Sequence, residues 1–444
     1  MKKPETPPNG SLTIEQREEL LTLLEKSEVI EELNQIDKDY PYWEQFKYKT
    51  KHMGFDPKLL WRFIKIQRGR NMSNIKLNDV NGFSFKYNTT SKILKFLHEF
   101  DLYLGGVMEG GSIIPNEEKS RYLISSIMEE AIASSKLEGA VTTREMAKDM
   151  LRSNRKPKNH SERMILNNYL TIKKVLEFKN RKLSKELILE IHSTISKGTL
   201  ENDINEGKFR RNNDVNVVDH VTGEIYYYPP HYQHIDELIE DLCYFANHED
   251  ESKFIHPIIK AITLHFLIGY IHPFVDGNGR TARALFYWYL VSKGYWLIEY
   301  LSISRIIIQS PSQYAKAYLY TEYDENDLTY FLDFNLKALG LALESLKLYI
   351  SRKINEKTRL FKFIKNENFN ERQASIISDL LTDNEKSLTI SEIQTKYAVV
   401  YQTARLDLIG LVEMGYLQSK TIGKKNIFYP ADNFEQKIQI LSNK

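Results

Sequence analysis

Residues 257–291 read PIIKAITLHFLIGYIHPFVDGNGRTARALFYWYLV, and the architecture of the chain turns on this segment. Residues 257–271 and 282–291 are apolar nearly all round, which places them as helices in a core rather than on a surface. Between them, HPFVDGNGR brings a histidine, an acid, two glycines, an asparagine and an arginine into that core. Gly277 and Gly279 permit backbone conformations closed to other residues. The second helix then opens with free N–H groups and a positive dipole end, a good seat for phosphate. Arg280 and Arg283, three apart, share a face and add charge-assisted donors. Asp276 is a hard oxygen ligand suited to Mg²⁺, Asn278 can donate to a phosphate oxygen, and His272 can take a proton near neutral pH. Alone, His272 reads as a satisfied core histidine, Asp276 as a helix N-cap, and Arg280 as its ion-pair partner. Together they supply a base, a metal ligand, an anion cradle and two phosphate clamps, which a purely structural motif does not require.

Outward from this segment, residues 94–350 carry mostly helical periodicity. It predicts helices over 117–137, 145–151, 161–178, 184–196, 234–247, 257–271, 280–293 and 328–350. One interruption, VNVVDHVTGEIYYYPP (215–230), is rich in valine and tyrosine, turns at Thr222-Gly223 and ends in two prolines, so it predicts a β-hairpin. Upstream, Thr13 and Gln16 have capping-box spacing before leucines at 20, 21, 23 and 24, predicting a helix over 13–28. The run FKYKTK alternates as a strand would, with Lys47, Lys49 and Lys51 on one side. With Lys65, Arg68 and Arg70 it makes a basic, aromatic-laced region, read first as a solvated face and second as a surface for nucleic acid or an acidic partner.

The chain has 444 residues, too many for one ordinary core. The reading divides it into an N-terminal helical and basic region (1–93), a helical catalytic domain (94–350), a charged linker (351–370) and a C-terminal domain (371–444). In that last part, a helix near 371–381, a second opened by Thr389 or Ser391, a third ended by Gly415, and strands YLQSK and NIFYP form the order of a winged helix-turn-helix. The fold class is therefore mainly α, with one β-hairpin inside the helical domain. Hydrophobic residues make up 42% and the formal charge is +2, so bulk charge names no partner. The single cysteine, Cys243, leaves no internal disulfide and suits a reducing cytoplasm. No run of 18 apolar residues exists to span a membrane, MKKPETPPNG lacks the apolar stretch of a signal peptide, and the first ten residues read as a frayed tail.

HPFVDGNGR resembles the signature of the Fic domain, His-x-Phe-x-Asp/Glu-Gly-Asn-Gly/Lys-Arg, at every specified position, with Arg283 as the further arginine. The resemblance covers about 100–350. It implies a helical enzyme that moves AMP from ATP to a Ser, Thr or Tyr hydroxyl of a target protein or of itself. His272 would be the general base and Asp276 the Mg²⁺ ligand. Asn278 and the backbone at Gly277 and Gly279 would stabilise charge on the transferred phosphate. Arg280 would hold the phosphate chain, Arg283 the γ-phosphate, and Phe274 would anchor the loop in the core. The hairpin would be the family's flap, with the target docking on 215–228 by strand addition. GKFR (207–210), just before it, is also similar to the family.

A second motif, SSKLEG (134–139), resembles the family's inhibitory signature, Ser/Thr-x-x-x-Glu-Gly/Asn. Ser134 and Glu138 lie one helical turn apart. The implied mechanism is that Glu138 pairs with Arg283 and so denies it to the γ-phosphate. Some relatives with this glutamate also remove AMP, and that reverse reaction stays open here. The residues also admit a different nucleotide donor, a DNA-binding regulator using Gln402, Thr403 and Arg405 with Lys420, Lys424 and Lys425 at the wing, and a hydrolase holding a metal through His256, His265, His272 and Asp276. The C-terminal domain's partner is DNA or protein with neither favoured, and a homodimer stays open.

Overall fold

The computed structural model describes residues 2–9, 13–105, 119–218, 223–250, 252–366, 369–382, 387–422, 425–434 and 436–437. Two compact units divide between Leu346 and Lys347.

The first unit is helical around the pair Pro257–Ile271 and Asn278–Ser292, which pack against each other. All but two residues of each of these 15-residue helices are buried. Pro257 sits at the first helical position, where its missing N–H costs nothing, and the His256 ring accepts from Ile258 N. Helices Lys119–Leu137, His160–Glu177 and Lys185–Ser196 pack against the second of the pair. Asn159 and Ser184 cap the latter two through their side chains, each satisfying one orphan N–H.

The N-terminal region shares this unit rather than standing apart. Its capping box at Thr13 and Gln16 opens helix Ile14–Leu24, but a second helix, Ser27–Asp37, follows, so 13–28 is not one element. FKYKTK is not a strand: Trp43–Lys49 is a helix. Trp43 and Phe46, three apart, both meet Trp61 edge-on, at 5.7 and 5.2 Å between ring centroids. That packing overrides the alternation of the lysines. The basic surface is largely neutralised from within: Lys47 pairs with Glu5, Lys49 with Asp39, Lys65 with Asp324 and the buried Arg68 with Asp37. The frayed tail is also corrected. Pro4 and Pro7 are buried, and the Tyr42 hydroxyl donates to Glu5 O at 2.8 Å.

A hairpin that the sequence pattern did not predict joins Met72–Asn78 to Ser84–Asn88, with Gly82 at φ 84° in its turn. Ile75, Leu77, Phe85 and Tyr87 alternate inward. The expected hairpin pairs Val217–Val218 with Ile225–Tyr227. Thr222, and with it half of the proposed turn, lies outside the described residues, as does Glu117 at the expected start of Lys119–Leu137. Helix Thr329–Asn366 runs past 350 through most of the stretch read as a linker.

The second unit holds helices Glu371–Thr382, Ile390–Tyr397 and Tyr401–Glu413, and a three-stranded sheet. In that sheet Lys425–Pro430 lies between Leu388–Thr389 and Leu417–Ile422. Thr389 and Glu392 form a capping box, and Gly415 takes φ 74° after the last helix. Ile377, Leu380, Ile393, Leu408 and Phe428 fill its core. Gln402 and Arg405 are exposed on Tyr401–Glu413, whereas Lys424 lies outside the described residues. Among the described residues, no helix is long and apolar enough to cross a membrane.

Candidate active site

Helix Pro257–Ile271 stops at His272, which adopts a left-handed conformation at φ 49° while its N–H still bonds Ile268 O. Proline at 273 has no N–H with which to continue the ladder. His272 Nδ1 lies 3.1 Å from Gly269 O. A carbonyl only accepts, so Nδ1 carries the proton and Nε2 keeps its lone pair. Burial holds the imidazole below the usual histidine range, so it stays neutral. A neutral ring with a fixed tautomer is the form a general base requires.

The next residues form a tight cradle. Asn278 accepts from Phe274 N and donates to Phe274 O, both at 2.9 Å, so its amide closes the loop on itself. The expectation that Asn278 serves phosphate is narrowed by this: both ends of the amide staple the loop, and one Nδ2 hydrogen remains. Gly277, at φ 85°, starts helix Asn278–Ser292 with no side-chain cap. Asp276 Oδ1 accepts from Gly277 N at 2.6 Å, and Oδ2 accepts from Arg280 at 3.1 Å. The Asp276 side chain is half exposed, whereas Arg280 is fully buried. Arg280 keeps Nε and Nη1 buried without a hydrogen-bond partner. Leaving charged donors unsatisfied is costly, and an anion at this helix start would satisfy them.

Arg283 is buried beside it in the opposite condition. Its Nε donates to Ser134 Oγ at 2.8 Å, and its Nη2 donates to Ser134 O at 3.0 Å and Glu138 Oε1 at 2.8 Å. Burial, the largest single influence, would lower the guanidinium, but the charge and hydrogen bond of Glu138 together with Tyr314 and Glu130 hold Arg283 above its ordinary value. Glu138 follows the last residue of Lys119–Leu137, where an acid opposes the helix dipole. Gly279 leaves the space that the Glu138 carboxylate fills; a Cβ there would collide with it.

Three further residues hold this geometry, and of them only Arg210 lies in a motif the sequence singles out. His192 Nδ1 accepts from Gly207 N at 3.1 Å, so its Nε2 donates to Asp276 O at 2.9 Å. Its ring stacks on Phe274 at 3.7 Å, and burial pulls it down to about 4. Arg210, in GKFR, donates from Nε to His272 O and from its backbone N to Pro273 O, each at 2.9 Å, and its Nη2 reaches Pro230 O. Tyr227, in strand Ile225–Tyr227, donates to Tyr270 O at 2.9 Å. His192 sits among Leu187, Ile188, Ile191 and Ile195, so in sequence it is indistinguishable from a core histidine; only GKFR offers a hint.

The structure thus brings His272, Asp276, Gly277, Asn278, Gly279, Arg280, Arg283, Ser134 and Glu138 together. His256 engages Asp101 instead, and His265 engages Tyr314, which itself lies against Arg283. Among the described residues no group of three or more His, Cys, Asp or Glu is placed to hold a metal.

These features define a helical protein in which a polar loop with buried arginines feeds a buried helix and carries a neutral imidazole at its entrance. Residues 182–290 match the Fic/DOC family model, and this part of the chain is a Fic/DOC family domain. The chain is similar to proteins named protein adenylyltransferase Fic from Drosophila virilis, at 38% identity, and Drosophila melanogaster, at 37%. Each match runs over 108 residues, 24% of this chain and 20% of the relative, so the chain spans about a fifth of the length of these curated relatives. Among solved structures, a Fic family protein from Desulfovibrio desulfuricans G20 has a TM-score of 0.47 at 16% identity, over 77% of this chain and 95% of that one. Fic-1 (aa134–508) from C. elegans has a TM-score of 0.48 at 18% identity, over 75% and 85%.

Proposed function

We propose that the protein is an adenylyltransferase that moves AMP from ATP to a hydroxyl side chain of a target protein or of itself. The observation that carries this reading is Arg280: a fully buried cation with two nitrogens left without partners, at an uncapped helix start, in the same loop as an imidazole whose Nδ1 is engaged by Gly269 O. In the proposed step, Nε2 of His272 takes the proton from the incoming hydroxyl. The oxygen bonds the α-phosphorus, the bond from that phosphorus to pyrophosphate breaks, and pyrophosphate departs with its charge. Catalysis of this kind rests on positioning and charge stabilisation. Arg280 and the N–H groups after Gly277 hold the phosphates, and the flap at 215–228 aligns the target segment.

The site suits Mg²⁺ in one respect: Asp276 offers a hard, half-exposed carboxylate on the phosphate side, and Mg²⁺ at nucleotide sites is commonly held by one or two carboxylates plus phosphate oxygens. When bound, it would neutralise phosphate charge.

Glu138 acts as the brake. While it bonds Arg283, the γ-phosphate has no partner there. A hydrogen-bonded charge pair is worth roughly 1.5–3 kcal/mol, or about a tenfold to hundredfold effect. The test is incubation of purified Glu138→Gly protein with α-labelled ATP, Mg²⁺ and cell lysate against the Glu138→Gly/His272→Ala double variant. Labelled protein that requires His272 supports the reading; equal labelling in both, or none, removes it.

We read the C-terminal unit as a winged helix whose exposed Gln402 and Arg405 face a partner. Salt-dependent retardation of a DNA duplex would assign DNA, and its absence would leave protein.

A further inference from the structure

The end of helix Pro257–Ile271 presents carbonyls that no further turn can satisfy, because Pro273 stops the ladder. Their partners are specific. Ile268 O takes the His272 N–H, Gly269 O takes the His272 ring, and Tyr270 O takes the phenol of Tyr227 from the flap strand. The catalytic imidazole and the flap phenol therefore cap adjacent carbonyls of one helical turn. The same flap is fastened at its base by Arg210, which joins His272 O and Pro273 O to Pro230 O. Tyr270 is itself fixed between Phe85 at 5.3 Å and Phe266 at 6.2 Å, so its carbonyl has little freedom to follow a displaced flap. The Tyr227 ring packs beside Tyr270 at 5.8 Å.

We propose that Tyr227 is a positioning residue that locks the flap to the turn carrying His272, so that a target segment aligned on the flap arrives in register with Nε2. It touches no reacting atom; it acts through Tyr270 O and the turn. The proposal rests on the transfer reading above for its purpose, but the linkage itself can be measured without activity. Because the phenol bonds a carbonyl, only the hydroxyl matters: Tyr227→Phe keeps the ring and removes the donor. Burial keeps the phenol protonated well beyond the ordinary range, so the linkage persists across working pH.

The experiment compares Glu138→Gly with Glu138→Gly/Tyr227→Phe, and with Tyr244→Phe, on the outer helix Ile235–Asn247, as the control substitution. Hydrogen exchange is followed in segments 223–231 and 268–274. Labelling of lysate protein from α-labelled ATP is measured at saturating ATP, ATP affinity is measured by titration, and the melting temperature is recorded. The expected result is faster exchange in both segments together and a labelling rate lower by about three- to tenfold, as for loss of one neutral hydrogen bond in the transition state. ATP affinity should stay within about twofold, and Tyr244→Phe should change neither readout. Unchanged exchange in 268–274, or an unchanged labelling rate in an active parent, overturns the proposal. If the parent labels nothing, the transfer reading fails while exchange still decides the linkage.

Discussion

The two ends of the 272–283 loop are held in opposite ways. At the base end, His272 is fixed by neutral hydrogen bonds of its ring to Gly269 O, by Arg210 at its carbonyl, and by Tyr227 at its helix end. At the anion end, two buried arginines face charge. Arg280 has buried donors without partners, whereas Nε and Nη2 of Arg283 are engaged by Ser134 and Glu138. In the proposed reading the base is already set, so the step left to regulate is occupation of the anion end. The proposed brake on Arg283 would be strong and still reversible, because it would exchange one anion for another without rebuilding the turn that carries His272.

The contrast can be broken most forcefully at the base. In a Glu138→Gly background, His272→Ala should lower target labelling by about 10²-fold or more while ATP still binds. Loss of ATP binding instead would place His272 among the binding groups. Next comes Arg280→Met. If Arg280 waits for phosphate, ATP affinity should fall by about tenfold to hundredfold, with little or no loss of melting temperature, since a buried cation with unsatisfied donors adds little to stability. A large drop in melting temperature with ATP affinity intact would make Arg280 structural. Glu138→Gly should act oppositely on the two quantities: ATP affinity rises by about tenfold or more, while the melting temperature falls because Arg283 keeps a buried charge without its partner.

Smaller effects come from pH. Burial lowers His192 to about 4 and His265 to about 3, so both fold as neutral rings. The unfolded chain takes up protons near ~6.5, so this contribution to stability is complete above that pH and is lost as pH falls toward 4. Denaturant unfolding between pH 7.5 and 4.5 should show the decline, and His192→Gln, which keeps a donor toward Asp276 O, should flatten part of it. His272 is lowered in the same direction, so the acid limb of the labelling rate should lie below the ordinary histidine range.

Much of this was legible in the sequence because the signals are local. Residues 257–271 are apolar on every face, and the helix matches them residue for residue. The loop announces itself by polar groups inside a core. SSKLEG places Ser134 and Glu138 one turn apart, and both reach Arg283. What was not legible depends on long-range contact. FKYKTK alternates like a strand, but Trp43 and Phe46 find Trp61 and the segment coils. The amide of Asn278 also closes on the backbone of Phe274, four residues earlier, a contact that its place in the motif does not announce. Nothing in IYYYPP distinguishes Tyr227 from its neighbours until the fold brings Tyr270 beside it.

The most direct test of the central claim is calorimetric titration of Mg-ATP into the wild-type protein, Glu138→Gly and Glu138→Gly/Arg280→Met. Tighter binding by about tenfold or more on removal of Glu138, reversed by the second substitution, is the predicted result. Equal affinity in all three proteins would mean that nucleotide does not occupy the loop and that the Glu138–Arg283 pair is no brake.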